Sequence, residues 1–159
     1  MKVLALGGSG GMGRYAVQYL HNIKQIEKIY VADVNSLSAK KFASHFDNRV
    51  EGLKLDIRDF ETLKSEMSKV DIVVNTTGPF FLFAEPILKA AIQTNTHYFD
   101  ICDDWEPTEK MLQMNEDAKK ANITAIIGLG ASPGLTNILA HMAISELDEV
   151  RKVYTGWDM

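Results

Sequence analysis

The chain has 159 residues, of which 46% are hydrophobic, and carries a net charge of −4. That size and apolar content suit one globular domain and exclude disordered and collagen-like proteins. Lysines and glutamates are interspersed, so we expect no nucleic acid and no membrane as a partner, but a small molecule and a second copy of the chain. The single cysteine excludes an intrachain disulfide and a cysteine-cluster metal site, so no metal is expected.

Short apolar runs alternate with helical patterns along the whole chain. This alternation predicts one α/β domain over residues 1–159, with a doubly wound parallel sheet and helices on both faces, the Rossmann fold. The predicted strands cover residues 2–6, 28–33, 50–55, 72–75, 98–101, 124–128 and 151–156.

Two helical segments are predicted in more detail. Segment 84–94 predicts a helix with Pro86 in its first turn, and Pro107 has a similar place in a later helix. Helical spacing after the first strand predicts one buried stripe, formed by Met12, Ala16, Tyr19, Leu20 and Ile23.

A glycine-rich turn follows the first strand and leads directly into a helical pattern. Its spacing, Gly-x-Gly-x-x-Gly, permits a tight turn, a close approach of the backbone to a ligand, and tight packing of the helix on the strand. The helix N-terminus adds unpaired N–H groups and the positive end of a dipole. We therefore predict a dinucleotide pyrophosphate site at Gly8, Ser9, Gly10, Gly11, Met12 and Gly13.

Asp33 ends the second predicted strand, 20 residues after the last glycine of the turn. A carboxylate at this place accepts hydrogen bonds from the adenosine ribose hydroxyls. The alternative is that Asp33 only caps the next helix. Because a carboxylate repels the extra phosphate of NADP, NAD is the predicted cofactor, while Asn35, Ser36, Lys40 and Lys41 keep NADP possible.

Further polar residues follow the third and fourth strands, on the edge of the sheet where ligands bind. Asp56 is predicted to accept a hydrogen bond from the adenine amino group, with Ile57 beside it, although it also suits a cap of the next turn. The residues predicted to pass beside the second phosphate and its ribose are Thr76, Thr77, Gly78 and Pro79.

The ends of the fifth and sixth strands supply candidates for the substrate side. Asp103 and Asp104 are adjacent carboxylates. They are predicted to shift the pKa of a group at the pocket edge or to bind an amine. The alternative is that they form the N-cap of the helix near Pro107. Cys102 beside them is interpreted as a packed thiol, because its segment offers no histidine partner. No residue is assigned as the catalytic acid or base.

A second helix start follows the sixth strand, with Ser132 as its predicted cap, Pro133 at its first position and Gly134 next. This N-terminus is predicted to border the nicotinamide or a substrate carboxylate. An ordinary capped helix start is the alternative.

Together these segments resemble the N-terminal cofactor domain of the saccharopine dehydrogenase-like family of nicotinamide-dependent oxidoreductases. The resemblance implies hydride transfer between NAD(P) and a carbon–nitrogen centre, an imine or secondary amine, of an amino-acid-derived substrate. It is carried by residues 7–13, 31–33, 55–59, 71–80, 98–105 and 130–137.

Members of the family carry a second domain that binds substrate and forms a dimer, and no pattern for it follows here. We therefore expect this chain to be a cofactor domain that lacks turnover when alone. A non-catalytic NAD(H)-binding or regulatory module is the alternative. Because the first strand starts at residue 2 without a charged leader, a cytoplasmic location is expected.

Overall fold

The computed structural model describes residues 1–156 and contains one sheet of six parallel strands. They are β1 (Lys2–Leu6), β2 (Lys28–Asp33), β3 (Val50–Lys54), β4 (Ile72–Asn75), β5 (His97–Asp100) and β6 (Ala125–Ile126). Their order across the sheet is β3-β2-β1-β4-β5-β6, so the chain starts in the middle and winds outward in both directions. This order confirms the predicted doubly wound sheet, in which a crevice opens between β1 and β4.

Helices cover both faces of the sheet, as predicted. The strands alternate their side chains between the two faces, and each face has its own apolar cluster. Val3 and Ala5 pack with the first two helices, whereas Leu4 and Leu6 pack with the next three. The helices are α1 (Gly11–His21), α2 (Ser36–Ala43), α3 (Phe60–Met67), α4 (Phe80–Gln93), α5 (Trp105–Leu112), α6 (Asn115–Lys120) and α7 (Leu135–Ser145).

The seventh predicted strand does not form. Residues 151–156 are exposed and irregular, and they pair with no strand in the described part of the chain. The strand at this edge of the sheet, β6, has only two residues, because the chain leaves the sheet at Gly128, whose φ is +71°. The predicted domain also includes residues 157–159, which lie outside the described residues.

The buried stripe predicted on α1 is wrong at two positions. Gly13 and Val17 are the buried residues of α1, while Met12 and Tyr19 are 60% and 72% exposed. Each helical residue rotates the side-chain direction by about 100°, so both lie well away from the direction of Gly13. The inward face is set by the packing of Gly13 on the glycine turn.

Helix α4 begins at Phe80, four residues before the predicted start, so Pro86 lies inside the helix and not in its first turn. The Asp104 Oδ2 atom accepts a hydrogen bond from the Phe81 N–H at 3.0 Å and so satisfies a donor at the helix start. Pro107, in contrast, lies in the first turn of α5 as predicted. No helix within residues 1–156 has the length and apolarity that crossing a bilayer requires.

Candidate functional site

The turn between β1 and α1 is a tightly closed backbone structure. The Gly7 N–H donates to the Ala32 oxygen and the Gly10 N–H to the Gly7 oxygen, each at 2.9 Å. A Cβ on Gly13 would overlap the Gly7 oxygen and lie 2.7 Å from the Gly8 Cα. Only glycine therefore lets α1 start directly against the turn.

The start of α1 presents unpaired donors. Gly10 occupies the N-cap position and has no side chain to cap the helix. The N–H groups of Gly11, Met12 and Gly13 have no acceptor within residues 1–156. Three free N–H groups at the positive end of the helix dipole form a site for an anionic group such as a phosphate.

Asp33 lies beside this turn and is held by two donors. Its Oδ2 atom accepts from the Ser9 hydroxyl, and its Oδ1 atom accepts from the Asn35 N–H at 3.0 Å. The N-cap of α2 is Asn35, whose side chain accepts from the Ser38 N–H at 3.1 Å. The capping alternative for Asp33 is therefore wrong, and its carboxylate lines the crevice instead.

A cavity of about 360 Å³ opens at the carboxyl ends of β1, β2 and β3. Its volume lies in the range of small-ligand sites. Apolar side chains and acidic groups both line it, as an adenosine group with its planar base and polar sugar requires. The predicted site residues that the cavity brings together are Asp33, Asp56, Ile57, Thr77 and Gly78.

Asp56 on the cavity wall forms an ion pair with Arg58. The guanidinium Nε donates to Oδ1 at 2.9 Å and Nη2 donates to Oδ2 at 2.6 Å, while the Arg58 N–H donates to Oδ1 at 3.0 Å. These side-chain and backbone hydrogen bonds lower the pKa of Asp56 to about 2. Arg58 was not predicted as a site residue, although its position two residues after the acid that follows β3 was a signal.

Thr77 carries the one unsatisfied buried side-chain oxygen or nitrogen found in the described chain. Its Oγ1 atom has no hydrogen-bond partner there, and a Cβ on Gly7 would lie 2.9 Å from it. Buried hydroxyls without a partner are rare in native proteins, and a bound polar ligand accounts for one. This hydroxyl, the glycine turn and the free N–H groups fit a dinucleotide.

A buried polar network continues from Thr77 across the sheet. The Thr77 N–H donates to Asn75 Oδ1 at 3.0 Å, and Asn75 Nδ2 donates to the Tyr98 hydroxyl at 3.2 Å. The Tyr98 hydroxyl donates to Asp100 Oδ2 at 2.8 Å, and Asp100 Oδ1 accepts from the Gly128 N–H at 2.7 Å. Burial raises the pKa of Asp100 and that of Tyr98, although the bond from Gly128 opposes the rise for Asp100. Asn75, Tyr98 and Asp100 were not predicted as site residues.

The residues after β5 lie at the same edge of the sheet but outside the cavity. Cys102 is fully buried, its Sγ accepts from the Thr108 hydroxyl at 3.7 Å, and burial raises the pKa of its thiol. Asp104 occupies the N-cap position of α5, yet its carboxylate bonds to the start of α4 instead. Asp103 is exposed.

Ser132 and Pro133 do not start α7, contrary to the prediction. The helix begins at Leu135 and its N-cap is Gly134, whose φ is +113°. A Cβ on Gly134 would overlap the Gly130 oxygen, which accepts from the Leu135 N–H at 2.9 Å. Ser132 and Pro133, which were predicted at the start of the helix, therefore belong to a compact loop before it.

The site groups into two regions. In the first, Gly7, Asp33, Asp56, Ile57, Thr77 and Gly78 line the cavity. The predicted residues 8–13 are not part of its wall, and the Ser9–Asp33 hydrogen bond joins them to it. In the second, residues 102–104 and 132–134 follow the next two strands outward. Thr76 joins the β4 loop to β1 through its N–H and hydroxyl, which donate to the Leu6 oxygen at 3.0 and 2.9 Å. Pro79 ends that loop at the N-cap of α4. Within the described residues, no three His, Cys, Asp or Glu side chains are placed to hold a metal ion.

A doubly wound sheet defines a dinucleotide-binding domain when a glycine turn, a helix N-terminus with free N–H groups and a carboxylate at the end of the second strand lie together, as the Ser9–Asp33 bond shows here. The family model described as "Saccharopine dehydrogenase NADP binding domain" matches residues 3–126. The chain belongs to this family, which confirms the resemblance seen in its motifs.

The relatives extend well beyond the length of this chain. The chain is 28% identical over 139 residues to a lipid droplet localized protein of Caenorhabditis elegans, covering 80% of this chain and 32% of that protein. It is 26% identical over 152 residues to saccharopine dehydrogenase (NADP(+), L-glutamate-forming) of Schizosaccharomyces pombe, covering 96% and 32%. The chain thus spans about a third of these relatives.

Among solved structures, apo saccharopine dehydrogenase (L-Glu forming) from Saccharomyces cerevisiae has the same fold. The TM-score is 0.79 at 23% identity, over 91% of this chain and 31% of that chain. The match supports the fold assignment.

Proposed function

We propose that this chain is the cofactor domain of an oxidoreductase that transfers a hydride between a nicotinamide dinucleotide and a carbon–nitrogen centre of an amino-acid-derived substrate. The single observation that carries the proposal is the set of unpaired N–H groups at Gly11, Met12 and Gly13, next to the Ser9–Asp33 pair. Phosphate charge suits the first group, and ribose hydroxyls suit the second.

The chain's own residues bind and orient the dinucleotide. The N–H groups at the start of α1 hold the pyrophosphate, and Asp33 accepts from the ribose of the adenosine half. Thr77 and Gly78 line the path toward the nicotinamide half. The bound dinucleotide supplies the hydride donor or acceptor.

The reaction class is supported by the relatives. Two fungal proteins to which the chain is similar are named saccharopine dehydrogenase (NADP(+), L-glutamate-forming). We extend to this chain a chemistry in which a hydride leaves the carbon next to an amine nitrogen while that nitrogen loses a proton. The substrate itself is not assigned.

We further propose that NAD(H) binds more tightly than NADP(H), although the family's domain is described as NADP binding. Asp33 is fixed by Ser9 and Asn35 at the place of the ribose, and its charge repels a 2′-phosphate. Within residues 1–156 no basic side chain is hydrogen-bonded to Asp33 to neutralise this charge.

Titration of the purified chain with NADH and with NADPH, followed by nucleotide fluorescence, tests the cofactor proposal. We expect NADH to bind about tenfold more tightly, and Asp33→Asn to narrow that ratio because it removes the repulsion. Asp117→Asn, an equal change of charge on exposed α6, should leave the ratio unchanged. Tighter binding of NADPH to the unmodified chain would contradict the preference, and binding of neither would contradict the function.

The reaction class is tested in a chimera. This chain replaces the matched third of the S. pombe saccharopine dehydrogenase, and NAD+ reduction with saccharopine is followed at the absorbance of NADH. We expect turnover with NAD+, because the domain that binds the nicotinamide dinucleotide comes from this chain. A folded chimera that binds NADH without turnover would count against the proposed chemistry.

A further inference from the structure

A relay of buried hydrogen bonds connects the loops that follow β4, β5 and β6. It runs from the Thr77 N–H through Asn75, Tyr98 and Asp100 to the Gly128 N–H. Asn75, Tyr98 and Asp100 are at most 1% exposed, so water does not compete for these bonds. We call this set the Asn75–Tyr98–Asp100 relay.

The β6 loop depends on the relay because the sheet supports it weakly. β6 pairs with β5 at only two positions, Tyr98 with Ala125 and Phe99 with Ile126. Beyond these positions Asp100 holds the chain after β6. Its side chain accepts from the Gly128 N–H, and its backbone oxygen accepts from the Leu129 N–H at 2.8 Å. Asp100 therefore fixes where the loop toward Gly134 begins.

When Asp100 is ionised, the relay has only one consistent direction. Asp100 as a carboxylate has no proton to give, so the Tyr98 hydroxyl must donate to it. Tyr98 then has only lone pairs left for Asn75, which has to present its NH₂ group to Tyr98. The Asn75 oxygen consequently faces the Thr77 N–H and holds it in place.

We infer that Asp100 is a positioning residue that, through the proton of Tyr98 and the amide orientation of Asn75, sets the Thr77 loop on the cofactor side together with the Gly128 loop on the substrate side. The inference rests on the proposed function for its consequence, since Thr77 lines the crevice assigned to the dinucleotide. The hydrogen bonds of the relay involve protein groups alone and do not depend on a bound cofactor.

Replacement of the Asp100 carboxylate by an amide of the same size should reverse the donor–acceptor direction of the relay. In Asp100→Asn, the new NH₂ group faces Tyr98, which must then donate to Asn75 instead. Asn75 flips to accept, and its own NH₂ group faces the Thr77 N–H, so two donors oppose each other. In Asn75→Asp, two carboxylates compete for the single proton of Tyr98.

The double exchange Asn75→Asp with Asp100→Asn restores every bond. Asp at position 75 accepts from Thr77 and from Tyr98, while Asn at position 100 donates to Tyr98 and accepts from Gly128. Net charge and side-chain size equal those of the unmodified chain. A purely steric role for these residues predicts no such recovery.

Amide hydrogen exchange of the 159-residue chain, read residue by residue by NMR without cofactor, tests the relay. We expect Asp100→Asn, which turns the Asn75 NH₂ group toward the Thr77 N–H, to raise exchange at Thr77 about tenfold or more and to change Gly128 less, because Gly128 keeps an acceptor. The double variant should return Thr77 to within about threefold of the unmodified chain. Asp103→Asn, on an exposed neighbouring carboxylate, should change neither amide. If a single variant fails to fold, recovery of the folded spectrum in the double variant supports the relay.

Equal exchange at Thr77 in the Asp100→Asn variant would overturn the inference, as would a double variant no better than the worse single one. NADH affinity is measured on the same proteins, with about a tenfold loss expected in Asp100→Asn and recovery in the double variant. An unmodified chain that binds no dinucleotide defeats the proposed function while the exchange data still decide on the relay.

Discussion

Gly13 is the residue at which the backbone geometry leaves least room for a side chain. Gly13→Ala would place a methyl group against the Gly7 oxygen and the Gly8 Cα. We expect a loss of about 1–3 kcal/mol in the free energy of unfolding, because the turn must shift, and a loss of dinucleotide binding. Urea unfolding and NADH titration measure the two effects.

Gly11→Ala is the matched control, because a Cβ there meets nothing within 4 Å. Its free energy of unfolding should fall by no more than about 0.5 kcal/mol. Equal destabilisation by the two alanines would mean that the packing of α1 on the turn does not explain the glycine motif.

The Asp56–Arg58 ion pair should make the stability of the fold depend on pH. Because the pKa of Asp56 is lowered to about 2 from 3.8, the pair stabilises the fold above pH 3.8 and loses this effect as the pH falls toward 2. Arg58→Ala should move the pKa upward toward 3.8, stopping short of it because the backbone N–H of residue 58 still donates. NMR titration of the carboxyl carbon reads the value directly.

Lys110→Ala, on distant α5, serves as the control for removal of a positive charge. It should leave the pKa of Asp56 at about 2. A pKa that also stays there in Arg58→Ala would show that the guanidinium does not cause the shift.

Residue spacing along the chain was enough to predict the glycine turn and the place of Asp33, because both are local properties of a strand and its following turn. Spacing could not reveal the bond between Ser9 and Asp33, which depends on the parallel register of β1 and β2. The Asn75–Tyr98–Asp100 relay was missed for the same reason. It joins residues of β4 and β5 whose proximity follows from strand pairing.

At the scale of elements, Asp104 bonds the start of α4 to the loop after β5. Asp104→Ala removes the acceptor of the Phe81 N–H and leaves that donor unpaired. We expect the free energy of unfolding to fall by about 0.5–2 kcal/mol, as for the loss of a helix cap. Chemical denaturation provides the value.

The adjacent Asp103→Ala gives the comparison for this cap. It removes the same charge from an exposed side chain and should change stability by less than about 0.5 kcal/mol. A similar loss in both variants would assign the effect to charge and not to the cap.

The limits of elements were less predictable than their order. Helix α4 starts early because its capping carboxylate comes from a loop 23 residues away, a contact that no local pattern reports. Helix α7 starts late because residues 130–134 close a compact loop first. In both cases tertiary contacts override the local signals of proline and serine.

At the scale of the whole molecule, the helices contribute unequal numbers of buried residues to the core. Helix α7 has no buried residue, whereas α4 buries five. Ile87→Ala in α4, where the side chain is 1% exposed, should cost about 2–5 kcal/mol in the free energy of unfolding. The matched Ile138→Ala in α7 should cost less than about 0.5 kcal/mol, because that side chain is 55% exposed.

Urea unfolding of both isoleucine variants decides the point. Comparable losses would show that Ile138 is packed against other side chains in solution. A large difference would locate the folding core in the sheet and the helices that cover its two faces.

The strand order places every predicted cofactor residue at one edge of the sheet, and a single measurement tests that convergence. Amide chemical shifts of the chain are recorded during titration with NADH. The largest changes are expected at Gly11, Met12 and Gly13, with further changes at Asp33 and Thr77. Changes confined to the groove between α7 and residues 150–156, or no change at the glycine turn, would contradict the account.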